Sequence, residues 1–176
     1  GADLLVQAFI DAPLTREVLR HLETYLAGTC APLAVRSSSL LEDAVTRPCD
    51  GLYKTYMIPN NQPDPDLRLS HLATAVKLVY ASAYYKNARA FVRSTTVHPF
   101  RDSMAVMIQE TAGSRHGDFF YPAISGTAQS LNFYPAANAK ADEGVLNLAL
   151  GLGHTLAQGE QSFRVFPKHP QGTPQF

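Results

Sequence analysis

Arg36, the three serines after it (Ser37, Ser38 and Ser39) and the acidic pair Glu42-Asp43 form the stretch of this chain best suited to chemistry. A guanidinium presents a planar fork of donors that meets a phosphate through two charge-assisted hydrogen bonds. Serine hydroxyls and backbone N–H groups in a turn add further donors for an anion. The competing reading of the same residues is a surface arginine paired with Glu42 or Asp43, since such pairs are common and contribute little. Gly151-Leu152-Gly153 is a second glycine-rich point. It lacks the lysine of a phosphate-binding loop and the third glycine of a dinucleotide fingerprint. His98, His116 and His154 are scattered without zinc-like spacing, so they read as structural and no metal site is assigned.

The elements around Arg36 decide where it sits. Leu33-Ala34-Val35 is a short apolar run with a β-branched member, which predicts a buried strand with Arg36 where that strand leaves the core. Asp50-Gly51 after Pro48 signals a turn, and Leu52 to Ile58 alternates as a strand does, closed by Pro59-Asn60-Asn61. Arg36 and Gly51 therefore bracket one loop. Asp64 can cap a long helix with Pro65 at its first position, and Leu69, Leu72, Val76, Val79, Tyr80, Ala83 and Tyr84 fall on one face at helical spacing. This helix is expected to continue, bent, to Phe91.

Upstream, Leu4 to Ile10 reads as a strand ended by Pro13. Thr15 then caps a helix carrying Val18, Leu19, Leu22, Tyr25 and Leu26, and Gly28 stops it. Downstream, Met104 to Glu110 reads as a second buried strand. Phe119 to Tyr134 reads as a hairpin or paired strands with a turn near Ser125-Gly126, and Val145 to Leu150 as another strand. Thr155 to Gln158 fits one helical turn, and the Pro/Gly/Gln-rich end from Pro167 reads as a tail or severed linker. The expectation is an α+β unit with a mixed or antiparallel sheet that includes Leu33–Val35, Tyr53–Ile58, Ala105–Gln109 and Val145–Leu150, with the long helix packed on it. The loop Ser39 to Asp50 has few large apolar anchors, so poor order without a ligand is expected there.

Composition narrows the class. The 176 residues are enough for one domain or a large part of one. Formal net charge is zero, so no broad basic field points to nucleic acid. The apolar runs are too short to span a bilayer, and no charged-then-apolar leader opens the chain. Cys30 and Cys49 show no CxxC spacing, which suits a reducing cytoplasm, although one disulfide remains compatible. A chain opening on Gly1 is expected to have been trimmed or tagged.

The order of these pieces carries more than any one of them. Val35-Arg36-Ser37-Ser38, then Glu42-Asp43, then Gly51 and Thr55, then Val106 to Glu110, then Gly151-Leu152-Gly153 resembles the ATP-binding domain of the phosphoenolpyruvate synthase and pyruvate phosphate dikinase family, from about Pro32 to Gly159. The resemblance implies an ATP-grasp-like α+β fold, with residues 1–166 part of the ATP-binding domain and 167–176 the tail. It implies that Arg36 contacts ATP phosphates and stabilises charge during phosphoryl transfer. The Arg36–Gly51 loop would fold over the nucleotide, with Gly51 permitting close backbone approach. Thr55 would add a hydroxyl. Gln109, Glu110 and Ala112 would form the hinge beside adenine, Ala112 through its backbone.

Two readings of function follow from the resemblance. In one, the parent protein is a phosphotransferase (a kinase) that uses ATP and Mg2+ to phosphorylate a carrier histidine in a phosphohistidine domain, and then an acceptor such as pyruvate. In the other, the domain is a non-catalytic nucleotide-sensing or interaction module. The sequence departs from the family in three respects. The family's phosphate-binding lysine lies on a strand earlier than this chain begins. Its metal-binding glutamate and Gln-x-Arg group lie beyond its end. His154 stands where Gly-Leu-Gly-Glu is usual. The stretch is therefore expected to be a central fragment that binds ATP weakly by itself, with metal ligands outside it.

Overall fold

The computed structural model describes residues 2–39, 52–94, 104–135, 139–153 and 162–170. Two compact units divide the chain, Gly1–Thr111 and Ala112–Phe176. Both mix helix or turn with antiparallel sheet, so the chain is α+β.

The first unit contains helices α1 (Ala2–Asp11), α2 (Arg16–Ala27), α3 (Pro65–Ser82) and α4 (Lys86–Ser94). They accompany strands β1 (Leu33–Ser39), β2 (Tyr56–Ile58) and β3 (Met104–Glu110) in the sheet order β2-β1-β3, every pair antiparallel. The helix starts follow the sequence. The Thr15 hydroxyl accepts from the Val18 N–H, and the Asp64 carboxylate accepts from the Asp66 N–H at 2.9 Å beside Pro65. Leu72, Ala75, Val76 and Val79 of α3 join Leu22 and Leu26 of α2 and Leu33 and Val35 of β1 in one buried cluster. The long helix thus packs on the sheet through the expected face. It ends at Ser82, and α4 resumes at Lys86 after a short break.

Some local expectations are corrected. Leu4 to Ile10 lies in helix α1, because Leu5, Val6, Phe9 and Ile10 fall on one helical stripe and are half-buried while Leu4, Gln7 and Ala8 are exposed. Strand β1 does not end at Arg36 but runs on to Ser39, since β3 offers a seven-residue partner from Leu33↔Glu110 to Ser39↔Met104. Arg36 is mid-strand, and the serines are ladder residues rather than a turn. The third correction is that Val145–Leu150 does not join the β1 sheet, because it finds antiparallel partners on both sides within the second unit.

That second unit holds β4 (Ser114–His116) paired with β5 (Phe119–Tyr121), and a sheet β6-β7-β8 formed by Ile124–Gln129, Val145–Leu150 and Phe163–Val165. A 3-10 turn at Ala141–Glu143 precedes β7. The turn expected near Ser125-Gly126 falls instead at Gly117-Asp118, where Gly117 has φ 63°. Gly126 sits inside β6, and a Cβ there would lie 2.6 Å from Leu148 Cδ2 and 2.8 Å from the Asn147 carbonyl oxygen. Its glycine therefore marks a close approach of strands, not a turn. Leu40 to Gly51 and Thr155 to Gln158 lie outside the described residues.

Candidate functional site

Alternation along β1 separates two jobs. Leu33, Val35, Ser37 and Ser39 are buried against the helices, while Ala34, Arg36 and Ser38 look the other way. Arg36 is exposed. On β3 the same open face carries Ala105, Met107 and Gln109, opposite Ser38, Arg36 and Ala34 respectively. On β2 it carries Met57, opposite Ala34. Thr55 is exposed and immediately precedes β2. Arg36, Met57, Met107 and Gln109 therefore share one side of a three-stranded sheet, with Thr55 just outside the ladder at its edge.

The frame around them is well tied. Tyr53 is buried, and the Lys54 N–H donates to Ser82 Oγ at 3.0 Å while that hydroxyl donates to the Val79 carbonyl at 2.6 Å. These contacts fix the segment that presents Thr55. Past the other end of β2, Asn60 is buried in a left-handed conformation at φ 50° and donates from Nδ2 to the Ala31 carbonyl at 3.0 Å and the Thr29 carbonyl at 3.3 Å. Arg68 of α3 donates Nε to Asn60 Oδ1 at 2.9 Å and also donates to the Leu26 and Thr29 carbonyls. Both flanks of the short strand β2 are thus hydrogen-bonded to the helix layer. Beyond β3, the Thr111 N–H donates to the Pro32 carbonyl at 2.8 Å and extends the ladder by one step.

Glu110 is not brought onto the Arg36 face. It pairs with Leu33 in register and so belongs to the helix side, where its charge helps push the Tyr25 hydroxyl up, after the larger effect of burial. Ala112 is exposed and begins the second unit. Gly51, Glu42, Asp43 and His154 lie outside the described residues. The glycine motif is described only through Gly153. Gly151 and Gly153 have φ 73° and 69°, so both adopt the left-handed turn that closes β7, and Leu152 between them is exposed. The Ser125 hydroxyl donates to the Gly151 carbonyl at 2.5 Å, and the Gly151 N–H donates to the Ala123 carbonyl at 3.0 Å.

Reading the sequence for polar groups overlooked Met57 and Met107. Both are exposed on the Arg36 face, 59% and 40%, on the two flanking strands. Their signal was available in the period of two: Met107 and Gln109 stand two apart, as do Thr55 and Met57. A guanidinium beside a soft, polarisable thioether surface can take an anionic group and a flat apolar ring side by side.

A family model described as pyruvate phosphate dikinase, AMP/ATP-binding domain, matches residues 2–171. The chain belongs to this family. It is therefore an AMP/ATP-binding domain, and an open sheet face with a central arginine suits a ligand that joins phosphates to a planar base. Among the described residues no helix is long and apolar enough to cross a membrane.

Proposed function

We propose that this chain is the ATP-binding part of a phosphotransferase of the phosphoenolpyruvate synthase and pyruvate phosphate dikinase kind, working in the cytoplasm. It would supply the phosphoryl group of ATP to a carrier histidine of the parent protein, from which it passes to an acceptor such as pyruvate. The observation that carries this reading is the shared open face of Arg36 and Gln109, with Thr55 just before β2, in a chain of the AMP/ATP-binding family. Arg36 holds the transferring phosphates and stabilises charge that grows as the bond to the leaving oxygen breaks. Thr55 donates its hydroxyl to the same phosphates. Gln109, with the backbone of Glu110 and Ala112, lies beside adenine, and Met57 and Met107 give the ring an apolar bed. Gly51 lets the loop backbone come close to phosphate. Residues 1–166 form part of the ATP-binding domain and 167–176 the tail.

Mg2+ belongs with ATP in this chemistry, neutralising phosphate charge. Among the described residues no three His, Cys, Asp or Glu side chains converge into a cage for an ion. Beside ATP phosphates Mg2+ needs only one or two carboxylates, and we place those ligands elsewhere in the parent.

The test is ATP-dependent phosphorylation of the parent protein, with acid-labile, base-stable phosphate as the mark of phosphohistidine. Its absence, with ATP binding retained, would favour the nucleotide-sensing reading, to which His154 in the glycine motif lends the one specific argument.

A further inference from the structure

The first unit carries a second cationic surface, on α4, that the open sheet face does not use. From Leu67 to Arg101 the chain has no Asp or Glu, but it has Arg68, Lys77, Lys86, Arg89, Arg93 and Arg101. Two of these cations serve the fold. Arg68 bonds Asn60 and backbone carbonyls, and Lys77 Nζ donates to the Ile10 carbonyl at 2.7 Å. Lys86, Arg89 and Arg93 do not. All three are exposed, and none has a side-chain hydrogen bond or ion pair among the described residues.

Their spacing of three and four residues puts them on one stripe of α4, opposite the fully buried Ala88. With Ala90 they line a concavity of about 280 Å³. The small Ala90 side chain leaves the open space that the three long ones border. Like charges at this spacing weaken a helix. Arg93, in the last turn, is favoured by the helix dipole, but Lys86 in the first turn is disfavoured by it. The helix dipole therefore favours Arg93 alone, and a bound anion would offset the repulsion among all three.

We propose that Lys86, Arg89 and Arg93 form a binding site for a small oligophosphate anion, distinct from the face that carries Arg36. Two guanidinium forks one turn apart can share a single phosphate, each giving two hydrogen bonds. The row extends about 10 Å from Lys86 to Arg93 at helical rise, so the third cation calls for a second, linked phosphate. The concavity is open and shallow, and a small anion can reach all three cations in it.

The experiment is a titration of the 15N-labelled protein with sodium tripolyphosphate at constant ionic strength, followed through amide chemical shifts. Saturable shifts are expected at residues 86–94, with apparent affinity at least tenfold weaker for orthophosphate. They should vanish in Arg89→Gln/Arg93→Gln and persist in Arg36→Gln. Lys86→Gln alone should weaken binding at least threefold, and it carries the test if the double variant melts early. Shifts matched by sodium chloride, or shifts surviving both the double variant and Lys86→Gln, overturn the proposal. A glutamate-rich peptide run in parallel also overturns it if it binds these amides more tightly than tripolyphosphate, since that outcome assigns the surface to an acidic protein. ATP titrated into Arg36→Gln separates the sources: shifts at 86–94 assign phosphates carried on a nucleoside as well, and their absence assigns the free anion.

Discussion

Arg36 and Val35 are chain neighbours with opposite surroundings, so their alanine variants should fail in opposite ways. Arg36 is exposed on the open face, and surface truncations of this kind stay within about 0.5 kcal/mol of parental stability. A charge-assisted contact that strengthens in the transition state is worth on the order of 3 kcal/mol, about a hundredfold in rate. Arg36→Ala should therefore melt normally and slow phosphoryl transfer about a hundredfold, and Arg36→Lys should recover only part of that, having no planar fork. Val35 has no exposed surface and packs in the cluster with Leu72 and Val79. Val35→Ala removes two buried methyl groups and leaves a cavity, a loss of about 2 kcal/mol. Its melting temperature should fall by on the order of 10 °C while turnover per folded molecule holds. The assay is ATP turnover in the parent protein, each rate divided by the folded fraction from a thermal melt. If Arg36→Ala turns over ATP at the parental rate, the arginine is an ordinary surface residue and the phosphate reading fails. If Val35→Ala instead impairs turnover without moving the melt, the division of faces along β1 is mistaken.

Gly126→Ala should destabilise the second unit by roughly 1–3 kcal/mol, because the new methyl group would meet Leu148 and the Asn147 carbonyl; faster amide exchange along β6 and β7 would register it, and an unchanged rate would not fit. Burial, and then a hydrogen bond with Tyr85, push Tyr56 up to about 12. Between pH 10 and 12 an unfolded Tyr56 would release a proton that the folded one keeps, so stability of the first unit should fall with pH across that window, and the tyrosinate absorbance near 295 nm should show a late-titrating component that Tyr56→Phe removes. Glu143 is held below the ordinary carboxylate range, chiefly by the Lys140 N–H that donates to it at 3.0 Å and further by His169. Its contribution is present above the unfolded value and lost as pH falls through the folded one, so a carboxyl-carbon titration by NMR should place Glu143 below a free glutamate, and Lys140→Pro, which removes that donor, should bring it back toward normal.

The parts legible in the sequence were those where one local rule decides. Asp64-Pro65 and the spacing of Leu72, Val76 and Val79 set α3, because capping and a periodic apolar face point the same way. Helix α1 was misread because its apolar residues are contiguous, and contiguity hid the stripe of Leu5, Val6, Phe9 and Ile10. Ser37 and Ser39 suggest a turn from sequence alone, since serine has no strong preference for strands. Only the long-range partner β3 holds them in the ladder, and no window around Arg36 contains that partner. The same blindness placed Val145–Leu150 in the wrong sheet. For the open face, residue types draw attention to Arg36 and Gln109 but not to Met57 and Met107, because an exposed apolar residue carries no mark until its neighbours are known.

The seven-residue pairing of β1 with β3 bears on how the site can be lost. Slipping β1 by one residue would carry Arg36 into the helix layer and expose Val35 and Leu33, exchanging every side chain at once. The intermediate states a gradual drift would need do not exist, since a charge cannot sit half in a dry core. An insertion or deletion within Leu33–Ser39 should therefore abolish the fold and the binding face together. Substitutions at Arg36, Thr55 or Gln109 should leave a sound scaffold with altered ligand preference. The open face can thus vary freely in chemistry while its position is copied faithfully by the packing behind it.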